Sequence, residues 1–306
     1  MHPFLSKLLP SYWTGWKLLR GGQKLLGPRI QELLDKNDAG QWQPSDDKPE
    51  ELNVLSWLAG LAKGPDRSTP VIGQVLIMVA LATVHTTLLR MVNVLFDVHI
   101  TDAGGSSEQL RRELVDEIAT VAKSGWHDNT NGNPYDRLDK LDSVLRESQR
   151  MSPPTTMGMK RWFKQAHTFA DGTHVPADTY ACMPVFAIEN DPSKIPNPEK
   201  FDGLRAYRAS RGEGGKLVDE KEREDLKFSS PTPSFLNFGY GKTACPGRFF
   251  ASVVVKMVMV KALTDYEFKF LPGAERPSNI ITHEFLFTWP WNKMLVRRRP
   301  KGACPF

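Results

Sequence analysis

The sequence has little cysteine: Cys182, Cys245 and Cys304 are its only three in 306 residues. They lie far apart, without the paired spacing of a zinc site or a disulfide-stapled domain, so both are excluded and a reducing compartment fits best. Charge of one sign is also lacking. The 40 basic and 35 acidic residues are interspersed, and no Lys/Arg tract stands behind the net +5, which argues against nucleic acid as a partner. Residues 1–16 mix Ser, Lys, Pro, Tyr and Gly with apolar residues. They hold neither a signal-peptide core nor a membrane-spanning run, so no transmembrane anchor is expected in this chain. No internal repeat is present.

What is present is a globular composition, 40% apolar, sufficient for one large domain or two modest ones. Leu, Ile and Trp recur at helical spacing over residues 13–35, with an interruption expected at Gly21-Gly22. A polar loop at 37–48 precedes a helix that Pro49 opens and that ends after Leu61. The longest helical stretch, 69–98, is apolar on nearly all sides over 75–82, which predicts a central helix. A bilayer crossing competes with that reading. Against it, Gln74, His85, Thr86, Thr87, Arg90 and Asn93 interrupt the run before the roughly 20 residues a bilayer needs. Helices at 107–123 and 138–151 follow, the second stopped by Pro153-Pro154, and short strands surround the turn at Asp171-Gly172. An irregular connection over 190–233 leads to a last helix at 246–263 and two or three strands. The fold class is mainly α with a small β region.

The most specific chemistry lies in residues 235–251, FLNFGYGKTACPGRFFA, a glycine-rich loop that delivers one cysteine to the start of a helix. Gly239, Gly241 and Gly247 permit tight turns and the close approach of something flat, while the helix N-terminus favours a thiolate at Cys245. The pattern Phe238-x-x-Gly241-x-x-x-Cys245-x-Gly247 resembles the haem-binding signature of the cytochrome P450 superfamily. The resemblance implies that Cys245 ligates the iron of haem b (iron protoporphyrin IX) and that Phe238 packs beside the ligand. Gly241 and Gly247 would shape the loop. Lys242 stands near where Arg or His commonly meets a haem propionate.

Two further motifs keep the family's order. Glu147-x-x-Arg150 would by itself read as a surface ion pair; followed by Arg205, it resembles the family's buried network that locks the connection beneath the haem. Residues 82–87, ATVHTT, are similar to the oxygen-activation motif, with Thr86 as its proton-managing threonine. His85 stands where an acid is usual, a form that resembles fungal members acting on terpenoids and other secondary metabolites. A hydrogen-bonded core histidine is the plainer reading of His85, and Thr83 is expected to bond back to a carbonyl one turn earlier.

The resemblance further implies a monooxygenase fed by an NADPH-cytochrome reductase, at the endoplasmic reticulum membrane in full-length relatives. Lys242, Arg248, Lys256 and Lys261 would suit docking of the acidic reductase. A lipophilic substrate would meet Met78, Ala82 and Thr86, residues 155–159 and residues 285–287. The chain, 1–306, reads as a partial domain without the family's N-terminal anchor and early helices. Residues 69–98 are its oxygen-activation helix and 235–263 its haem-ligand loop and following helix. The apolar 75–82 face is then expected to be exposed, and a non-catalytic haem-binding or interaction fragment is the rival reading.

Overall fold

The computed structural model describes residues 7–38, 53–100, 106–127 and 132–306, so most of the polar loop expected at 37–48, and Pro49, lie outside the described residues. Contacts divide the chain into one unit over residues 1–85 and another over 86–306.

In the first unit, apolar residues at helical spacing build α1 (Pro10–Asp38), α2 (Val54–Leu61) and the first part of α3 (Thr69–Asp97). Ile30, Leu33, Leu34, Ala59 and Ile72 form its buried cluster. Contrary to expectation, α1 runs unbroken through Gly21-Gly22. The glycine serves packing instead: a Cβ on Gly22 would sit 2.9 Å from Ile77 Cδ1, so its absence lets α1 and α3 approach closely. The described part of that helix, α2, begins at Val54, where the side chain of Asn53 caps it by accepting the Ser56 N–H at 3.0 Å.

The second unit holds the rest of α3, α4 (Ser106–Lys123), α5 (Asp139–Met151), the short helices α6 (Val185–Glu189), α7 (Arg205–Ala209) and α8 (Glu220–Asp225), and α9 (Arg248–Asp265). Its core gathers Val94 and Val98 of α3, Leu114 and Ile118 of α4, Leu141 and Leu145 of α5, and Val255, Met259 and Val260 of α9. Among the described residues the strands pair antiparallel by twos. β1 (Gly158–Phe163) pairs with β4 (Thr179–Met183) and β2 (His167–Thr168) with β3 (His174–Val175). β5 (Tyr266–Phe270) pairs with β8 (Met294–Arg298) and β6 (Ile280–Thr282) with β7 (Phe285–Phe287). The architecture is mainly helical with small sheets.

The expectations for Lys256 and for α3 are altered. Ser252, Val255, Lys256, Met259, Val260 and Leu263 mark the buried face of α9 at helical spacing, so Lys256 is a core residue and not a docking cation. It pairs with Asp142 at 2.5 Å and donates to Tyr135 O at 3.0 Å. Lys261 stays on the surface, paired with Asp265 one turn on at 2.5 Å. The polar residues of α3 also do not disqualify it by length and composition. Among the described residues, it is the one helix long and apolar enough to cross a membrane, and Met78, Leu81 and Val84 are more than 60% exposed.

Candidate functional site

The cysteine loop is built by a short chain of backbone hydrogen bonds. Gly239 N–H closes a turn onto Leu236 O at 2.8 Å, and Cys245 N–H reaches Phe238 O at 2.6 Å. This path needs a left-handed backbone at Gly239 (φ 75°) and Gly241 (φ 65°), which glycine adopts without strain. A Cβ on Gly239 would lie 3.2 Å from Thr243 O. Gly247 precedes the first turn of α9, and a Cβ there would sit 3.9 Å from Cys245 Sγ, in ordinary van der Waals contact.

Cys245 is a free thiol and is exposed. Phe238 is half-buried against the core and meets Phe228 edge-on at 5.1 Å. Lys242 is exposed on the single turn Gly241–Thr243. Arg161, on β1, donates to Thr243 Oγ1 at 2.9 Å and so adds a second cation to the loop. Among the described residues no three His, Cys, Asp or Glu cluster as a metal cage. A soft, accessible sulfur with nearby cations fits instead an iron whose other ligands come from a porphyrin bearing carboxylates.

Behind the loop, the structure brings together Glu147, Arg150 and Arg205. Arg150 grips the buried Glu147 carboxylate through Nε at 2.9 Å and a terminal nitrogen at 2.7 Å, and Arg205 Nε reaches the same carboxylate at 3.2 Å. Asp202 N–H adds a bond at 3.1 Å, while Arg150 donates to Pro198 O at 2.7 Å and Arg205 to Pro196 O at 2.8 Å. The irregular connection is thereby tied to α5. A cavity of about 680 Å³ opens beside this network and does not reach Cys245. Of its lining cations, Arg150, Arg205 and Arg208 are paired with carboxylates and Arg146 donates to the Lys227 and Ser230 carbonyls, as in a cleft of the scaffold.

The two segments expected to contact substrate are stitched to each other. Thr155 bridges Phe285, Thr156 N–H donates to Glu284 O at 2.7 Å, and Lys160 pairs with Glu284. Just before them, Ser152 is a buried hub. Its carbonyl accepts Arg90 at 2.5 Å and its hydroxyl accepts Arg276 and Asn279, each at 2.8 Å. Arg276 also pairs with Asp97, so the second part of α3, the end of α5 and the β5–β6 connection converge there. Burial pushes Asp97 above the usual carboxylate range and the Arg90 guanidinium down to about 10. On α3 itself, His85 and Thr86 are both exposed, so His85 is not the core histidine of the plainer reading. Thr83 bonds back to Val79 O at 2.8 Å.

Sequence reasoning missed Arg90, Ser152, Arg161 and Arg276. For Arg90 a signal existed, since an arginine within an apolar helical run is buried only when paired. For the others the partners are too distant in sequence to see.

The family model described as Cytochrome P450 matches residues 81–296. The chain is 34% identical, over 98% of its length, to cytochrome P450 monooxygenase AN1598 of Emericella nidulans, covering 52% of that relative. It is 33% identical to cytochrome P450 monooxygenase terK of Tolypocladium album, covering 98% of the chain and 55% of the relative. Ent-kaurene oxidase P450-4 of Gibberella fujikuroi is 32% identical over 98% of the chain and 55% of its own length. The chain thus spans about half the length of the curated relatives it matches.

Proposed function

The chain belongs to the cytochrome P450 family, and from that premise we propose that it carries the thiolate side of a monooxygenase acting on a lipophilic small molecule. The observation that carries this reading is the free, exposed Cys245, whose amide is tied to Phe238 O within a glycine-shaped turn. Haem b bound there supplies dioxygen reduction and the insertion of one oxygen atom into the substrate, with electrons from NADPH through a cytochrome reductase. The other steps fall to side chains of this chain.

Cys245 Sγ serves as the anionic ligand, and Gly241 and Gly247 let the ring approach. Phe238, packed on the core, stands beside the ligand. Lys242 and Arg161 meet the carboxylates of the cofactor, the second standing in for an arginine within the loop. Thr86 Oγ1 and the His85 ring hold and pass protons toward the oxygen-reduction site. Glu147, Arg150 and Arg205 keep the underlying connection in register. The stitched segments around Thr155 and Phe285 present apolar side chains to the substrate. Relatives named ent-kaurene oxidase support a terpenoid or other fungal secondary metabolite. Exposed Lys242 and Lys261 and the half-exposed Arg248 remain to receive an acidic reductase, and the cytosolic face of the endoplasmic reticulum is the matching location.

A second reading, a haem-binding fragment without turnover, is favoured by the exposed apolar side chains of α3. Both are tested by supplying haem and recording the reduced carbon monoxide difference spectrum. We expect the long-wavelength band of a thiolate-ligated haem, abolished in Cys245→Ala. The same band in that variant would overturn the ligand assignment. Product formation with a reductase and NADPH favours the enzyme over the fragment.

A further inference from the structure

We propose that Glu189 is the positioning residue of the cysteine loop. Glu189 is the last residue of α6 and is entirely buried, so its carboxyl must find partners inside the protein. Both oxygens are spent on the loop: one accepts the Leu236 N–H at 2.5 Å, the other accepts Asn237 Nδ2. The bonds then run on toward the sulfur. Leu236 O holds Gly239 N–H, and Phe238, inside that turn, holds Cys245 N–H.

Glu189 therefore pins the entry of the segment whose exit bears Cys245. It is itself held to the scaffold. Asn237 Nδ2 also donates to Gln149 O of α5 at 3.3 Å, and Arg150 donates to Asn190, the next residue after Glu189. Arg90, Arg146 and Arg150 are the cations near enough to act on the carboxyl. Leu236 is only 5% exposed, so without Glu189 water could not replace the lost acceptor. The functional consequence rests on the haem-thiolate reading, but the geometry can be tested without haem.

In the haem-free chain, Cys245 alkylation by iodoacetamide is followed by peptide mass spectrometry, with the exposed Cys182 on β4 as the internal control. Amide exchange at Leu236 is read in the same samples. Glu189→Leu offers no acceptor. Exchange at Leu236 should speed up about 10- to 100-fold, and the Cys245 rate should change severalfold while Cys182 does not. Glu189→Gln keeps an oxygen for the Leu236 N–H and should restore both readings.

If Glu189→Leu does not fold, Asn237→Ala removes the other end of the contact and should shift Cys245 in the same direction. Unchanged Leu236 exchange, equal shifts at Cys182 and Cys245, or a Gln variant as perturbed as the Leu variant would each overturn the proposal. Haem titration keeps the two readings apart. A loosened loop in a chain whose parent never binds haem leaves the positioning role standing and removes the haem-thiolate reading.

Discussion

Replacing Lys256 by Met takes a charge out of the core rather than off the surface. The lysine side chain is 4% exposed, its Nζ lies 2.5 Å from Asp142 Oδ1, and Asp142 Oδ2 also accepts the Phe228 N–H at 2.7 Å. Met has nearly the same length, so little cavity is created. What remains is a carboxylate at 11% side-chain exposure with one neutral donor, and a Tyr135 carbonyl without its lysine. Breaking one half of a buried pair costs about 3–5 kcal/mol, a large share of the roughly 5–15 kcal/mol that holds a typical domain together. Urea denaturation with an unchanged slope measures the loss. The double variant Lys256→Met/Asp142→Leu should cost less than the two single changes added, because neither charge is then stranded. A loss below about 1 kcal/mol, the range of exposed pairs, would refute the buried assignment, and slower reduction by the reductase at unchanged stability would return Lys256 to the docking surface.

Three other outcomes are expected. On the proposed monooxygenase reading, Thr86→Ala should lower product formed per NADPH consumed by about 10- to 100-fold, at the low end of acid–base effects, and full retention would remove Thr86 from proton management. Glu147→Gln should cost about 3–5 kcal/mol in denaturant unfolding, because Arg150 and Arg205 both lean on that carboxylate, whereas Arg205→Met, at a 23% exposed side chain, should cost less. Burial pushes Glu189 from 4.5 up to about 8, against the Leu236 N–H bond and the pull of Arg146 and Arg150. Between pH 4.5 and about 8 the folded chain then keeps a proton that the unfolded chain has released, so stability is fullest at the acid end and falls as pH rises through that window. Glu189→Gln should flatten the slope there, and an unchanged slope would show that another group causes it.

The sequence alone determined what is decided within a few turns of chain. The helical run expected at 69–98 is α3 (Thr69–Asp97), and that at 107–123 is α4 (Ser106–Lys123), because apolar spacing and capping are local properties. The turn that carries Cys245 was legible for the same reason: the glycines that take its left-handed backbone and the cysteine fall within ten residues. Local reading failed where a glycine serves helix packing, as at Gly22, and where a cation lies on the core face of its helix, as at Lys256. Only the tertiary structure decided which distant groups meet. Arg205 finds Glu147 across 58 residues, Glu189 finds Leu236 across 47, and Arg276 reaches Ser152 across 124. No periodicity announces such pairings. They exist because packing buries these polar atoms together, and each buried donor or acceptor must then take a partner from whichever element the fold has brought beside it.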